Sequence, residues 1–195
     1  MGVKGIDADS PPAGRNARLG YVQSLVAHRR SGLLGSTQPR AARRQGGPVI
    51  PNAIEREILI EAPPEVVWRM LTEPAQITQW FSDRAEIELR PGGAGTLVFG
   101  EPPNEPSIAH LVLESVVPLQ TLSFRWSHPE GAEAHEGNSL RVEFTLTPDG
   151  ENTRLRLVES GFQQIDWPEQ RRTDTVNDHE KGWDGHLARL RECAS

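Results

Sequence analysis

From residue 54 onward the hydrophobic positions fall into two periodicities, first two and then 3.6. Ile54, Ile58 and Ile60 share one face of a period-two run, with Glu55, Glu57, Leu59 and Glu61 on the other, which predicts a strand with one dry side. Pro63 and Pro64 suit a helix start, because the first helical turn leaves its N–H groups unpaired anyway. Val67, Met70 and Leu71 then recur at helical spacing until Thr72, Glu73 and Pro74 break the run, and a second helical turn leads to Trp80 and Phe81.

After Phe81 the pattern predicts strand upon strand. Ala85 to Leu89 alternates, the glycine-rich stretch from Arg90 to Gly95 turns, and Thr96 to Phe99 resumes. Three prolines between 101 and 107 mark a loop before a strand around His110 to Val117, and Pro118 and Gln120 turn the chain into Leu122 to Trp126. An acidic loop from His128 to Asn138 follows. Leu140, Val142, Phe144 and Leu146 alternate with Arg141, Glu143 and Thr145, and Pro148-Asp149-Gly150 returns the chain to Leu155 and Leu157 between Arg154 and Arg156. Six or seven strands in a meander are expected. The last element is a helix from about Gln170 to Cys193, with Val176, Trp183, Leu187, Leu190 and Ala194 on one face and Asp178, Lys181, Gly185 and Arg189 on the opposite one. Gly182 and Gly185 each cost that helix about 1 kcal/mol relative to alanine, unless a glycine beside Trp183 admits close approach of another element.

Three blocks of this pattern resemble one family, in order along the chain. Ala62, Pro63, Glu65, Val67 and Trp68, then Thr72 and Pro74, then Trp80-Phe81, follow its A-P-x-E-x-V-W segment, T-x-P turn and closing W-F. His110 to Pro118 leading to Leu122 through Trp126 is similar to its strand, proline turn and strand ending in Trp. Gly182-Trp183, Leu187 and Leu190 resemble its terminal G-W-x-x-x-L-x-x-L. The family is that of bacterial proteins similar to the activator of heat-shock-protein-90 ATPase, within the START-like superfamily. The resemblance spans about residues 50 to 195 and implies an α+β helix-grip fold, Bet v 1-like: a curved antiparallel sheet around a long C-terminal helix, with two short helices after the first strand.

It also implies an apolar cavity between sheet and terminal helix. Trp80, Phe81, Phe99, Phe124, Trp126, Phe144 and Trp183 are the candidate lining, with His179 and His186 flanking the helix's apolar face at the mouth. The leading expectation is a domain that binds a hydrophobic or amphipathic small molecule. A chaperone-interacting module is the alternative, although the 49-residue basic segment does not resemble the extra domain with which the eukaryotic activator engages the chaperone. A further alternative is an enzyme of cyclase or hydratase type, for which His110 and Glu114, on one face of the central strand by period two, are the acid–base candidates.

Charge divides the chain at about residue 50. Residues 1–49 carry eight Lys or Arg and two acids, net +6, while the remainder carries 13 basic and 25 acidic residues, net −12. Little of the aromatic content lies in the first part, so residues 1–49 are expected as a disordered basic extension and 50–195 as the folded domain. Val49 is an alternative candidate for the biological start. Arg29-Arg30 precedes too short an apolar stretch for an export signal or membrane span, and the basic segment lacks the aromatic interleaving of a nucleic-acid binder. The glycines at 92, 93 and 95 lie between strands, without the lysine or helix of a phosphate loop, and the six histidines show no metal-binding spacing, so neither cofactor nor metal is expected. The single cysteine, Cys193, fits a reducing cytoplasm and is read as an incidental thiol. A monomer or homodimer is expected.

Overall fold

The computed structural model describes residues 50–100, 103 and 105–195. The basic segment, with the disorder expected of it, lies outside the described residues. Among the described residues seven strands form one antiparallel sheet: β1 (Ala53–Ile60), β2 (Arg84–Ile87), β3 (Ala94–Phe99), β4 (Ser107–Val117), β5 (Thr121–Trp126), β6 (Leu140–Asp149) and β7 (Asn152–Ser160). Three helices accompany it among the described residues: α1 (Pro64–Thr72), α2 (Pro74–Trp80) and α3 (Glu169–Ala194).

Proline sets the two short helices. Pro64 opens α1, and Pro74 opens α2 while holding Glu73 extended at φ −88° and ψ 124°, so one helical stretch becomes two with a bend. That bend carries the chain across the inner face of the sheet. The strand order is β1-β7-β6-β5-β4-β3-β2, so the expected meander holds from β2 to β7, whereas β1 closes the far edge by pairing with β7, Ile58 opposite Leu155.

The sheet bends where β4 shifts register against β5 between Leu113 and Ser115. The 90–95 turn is tied to the same place, since the Gly92 N–H donates to the Leu113 carbonyl at 2.7 Å and the Leu113 N–H to the Gly93 carbonyl at 2.9 Å. A Cβ on Gly93 would lie 2.0 Å from the Glu88 carbonyl oxygen, so no other residue fits the turn.

Helix α3 lies across the inner face with Val176, Trp183, Leu187, Leu190 and Ala194 buried, the stripe that 3.6-residue spacing predicts, and with His179 and His186 buried beside them instead of standing at a mouth. A Cβ on Gly185, on the opposite face, would meet open space. The sheet contributes its inward rows, including Leu97 and Phe99, Leu111 and Leu113, Phe124 and Trp126, and Phe144.

Candidate functional site

Alternation along β3 to β6 turns one apolar row per strand toward the helices, and those rows leave a narrow slit. Its free volume is about 20 Å³. The walls come from Leu71 of α1, Ile77 and Trp80 of α2, Phe81, Ile87 of β2, Leu97 of β3, Leu111 and Leu113 of β4, Leu122 and Phe124 of β5, and Phe144 of β6. Four expected lining residues are therefore here: Trp80, Phe81, Phe124 and Phe144. The slit lies beneath α1 and α2, and no residue of α3 lines it, which differs from a space between sheet and terminal helix.

The other five expected residues are packed elsewhere in the core. Phe99, Trp126 and Trp183 are each no more than 2% exposed. Phe81 joins the two groups: its ring stacks on Trp80 at 5.0 Å and on Trp183 at 5.3 Å, and meets Phe99 edge-on at 5.6 Å. His186 sets its ring edge-on to Phe81 at 4.9 Å and donates from Nδ1 to the Trp80 carbonyl at 3.1 Å.

A polar knot ties this core together. Glu159, a fully buried side chain of β7, accepts at Oε1 from Trp126 Nε1 at 2.8 Å and at Oε2 from Trp183 Nε1 at 2.7 Å. His179 Nδ1 lies 2.8 and 2.9 Å from the same two oxygens. An indole N–H can only donate, so both carboxylate oxygens are committed as acceptors. The knot joins β5, β7 and α3 through one side chain. A buried carboxylate is costly unless hydrogen-bonded throughout, which these contacts accomplish. Sequence reasoning missed Glu159, although a signal was present: the period-two row of Leu155 and Leu157 continues to position 159.

The acid–base candidates stand on the other side of the sheet. His110 and Glu114 alternate with Leu111 and Leu113, so neither reaches the slit. Glu114 accepts from Arg125 Nε at 2.6 Å and from Arg141 Nε at 2.7 Å, and Arg141 also bonds Glu143 at 2.7 Å, a surface network. Partial burial and the neighbouring His110 push the His128 imidazole below its ordinary value. Among the described residues, no group of three or more His, Cys, Asp or Glu is placed to hold a metal ion. No described helix is long and apolar enough to cross a membrane.

A curved antiparallel sheet gripping one long terminal helix, with two short helices after the first strand, is the helix-grip, START-like architecture. The chain belongs to the family described as Activator of Hsp90 ATPase homolog 1-like protein, whose pattern matches residues 61–195. Solved structures agree on the fold. A Nitrosomonas europaea protein is 20% identical with a TM-score of 0.61, the match covering 73% of this chain and 93% of that one. A Mesorhizobium loti protein is 24% identical with a TM-score of 0.56, covering 72% and 95%. The Aha1 dimer from Colwellia psychrerythraea is 18% identical with a TM-score of 0.57, covering 73% and 95%. No curated protein sequence matches the chain.

Proposed function

We propose that the domain binds an apolar small molecule in the slit beneath α1 and α2. The observation that carries this reading is a gap walled by aliphatic and aromatic side chains. About 20 Å³ is room for little more than one water, so a ligand enters by moving side chains. Catalysis is not part of the proposal, since His110 and Glu114 face away from the slit. Residues 50–195 act as the binding unit, with 1–49 an extension of it, in a reducing cytoplasm that suits the lone Cys193.

Titration of the full-length protein with an environment-sensitive apolar dye tests this. Saturable binding that is lost when Leu97→Phe fills the slit is expected. Absence of saturable binding to the wild type, or undiminished binding to a folded Leu97→Phe variant, rejects the reading.

A second reading, an interaction module acting on a chaperone as monomer or homodimer, is favoured by the family description and by how little free volume the slit holds. Its test is the ATPase rate of heat-shock-protein-90 with and without the full-length chain. Stimulation supports it, and an unchanged rate at saturating concentration removes it.

A further inference from the structure

Phe81 belongs both to the wall of the slit and to the ring cluster behind it. Its ring is within 18° of parallel to the indoles of both Trp80 and Trp183. Those indoles are anchored, Trp80 Nε1 donating to the Met70 carbonyl at 2.8 Å and Trp183 Nε1 to Glu159 at 2.7 Å. Phe81 has no polar atom in its side chain, so only ring contacts and burial hold it. Its backbone also differs from that of the other rings on the slit. Phe124 and Phe144 sit in β5 and β6, central strands paired on both sides, where displacement would break ladder hydrogen bonds. Phe81 is the C-terminal cap of α2, its N–H donating to the Ile77 carbonyl at 2.9 Å, at the passage from helix into β2, so that shifting it disturbs one helical hydrogen bond and no ladder bond of the sheet.

We propose that Phe81 occupies the berth of a planar aromatic ligand, which displaces it and stacks on Trp80 and Trp183 in its place. The inference rests on the slit being a ligand site, whose wall includes Trp80 and Phe81, and extends that site into the ring cluster behind it while adding the ligand's chemical class. Flatness follows from the geometry: two indoles, each within 18° of the Phe81 ring plane, reward a ring lying in its place, while Phe99 and His186, edge-on at 5.6 and 4.9 Å, crowd the berth's borders. A globular aliphatic molecule of equal carbon count cannot match both indole planes and clear those edges.

The experiment compares 2-naphthol with 1-adamantanol, two ten-carbon alcohols, one flat and one globular, titrated into full-length wild type, Phe81→Ala and Phe81→Leu by calorimetry. Wild type is expected to bind 2-naphthol about tenfold more tightly than 1-adamantanol, and Phe81→Ala to tighten 2-naphthol by about a further tenfold while 1-adamantanol changes less than about threefold. Phe81→Leu, which keeps apolar bulk but removes the ring, is expected to move the same way by less, and provides the comparison if the alanine variant does not fold. Equal affinity for the two probes in wild type, or a preference for 2-naphthol unchanged in both variants, overturns the berth. In that case the slit reading stands as long as Leu97→Phe abolishes binding of either probe. Failure of both probes to bind wild type and variants rejects the berth and the apolar-ligand reading together.

Discussion

Glu159 and Glu114 are carboxylates on opposite faces of one sheet, each bridging neighbouring elements, and they differ in every partner they choose. Glu114, about a third exposed, takes the guanidinium groups of Arg125 and Arg141. Glu159, fully buried, takes two indole N–H groups and an imidazole. Water explains the contrast. At the surface a charge is already solvated, so pairing it gains little and long flexible arginines suffice. In the core the carboxylate has surrendered its hydration, and donors fixed on rigid rings must replace it, with each lost contact felt in full.

The strongest way to break the comparison is Glu159→Ala, which leaves two indole N–H groups and His179 Nδ1 without their acceptor. A loss of about 3–5 kcal/mol by chemical denaturation is expected, and a loss below about 1 kcal/mol would show that the knot is not what holds α3 to the sheet. Trp183→Ala, which removes a fully buried ring and one donor to the knot, is expected to cost about as much, roughly 3–5 kcal/mol. Trp183→Phe sharpens this by keeping an aromatic ring and deleting the N–H. It should cost about 1–3 kcal/mol, and equality with Trp183→Ala would mean that ring volume contributes nothing there.

Glu114→Gln probes the solvated side, where a change of no more than about 1 kcal/mol is expected. A cost matching that of Glu159→Ala would erase the distinction between the two faces. The smallest effect concerns His128. Its folded-state value lies below the ordinary 6.5, so the unfolded chain takes up the proton first. Stability from this group is therefore full above about 6.5 and declines as pH falls from there through the folded value. Replacing His128 by Asn should flatten that decline by about 2 °C or less in the thermal midpoint, given solvent screening at a half-exposed site. A steeper decline in the variant would reverse the assigned sign.

Legibility in the sequence followed periodicity. The row Leu140, Val142, Phe144 and Leu146 appears in β6 as buried positions, and the α3 stripe through Trp183 and Leu190 is buried as spacing predicts. His179 and His186 lie on that same stripe and are buried with it, their ring nitrogens turned to Glu159 and to the Trp80 carbonyl. The aromatic residues expected inside are inside, yet their division between slit wall and ring cluster was not visible, because inward direction fixes a face and not a depth. Glu159 escaped because a carboxylate in an inward register looks like the end of a strand until its donors are known. Two of those donors, Trp126 and His179, lie 33 and 20 residues away in the chain.

Local rules therefore determined the elements: side-chain alternation, helical spacing and the restriction before proline act within a few residues and are written where they operate. The family and its helix-grip fold were legible for the same reason, as three short blocks in order. Only the tertiary structure decided the partner of β1, the position of the slit beneath α1 and α2, and the gathering of Trp126, Glu159, His179 and Trp183 into one knot. Each depends on how far the sheet curves and how deeply α3 settles against it. Those are set by the summed volumes of rings brought together from distant parts of the chain, a quantity that no local pattern records.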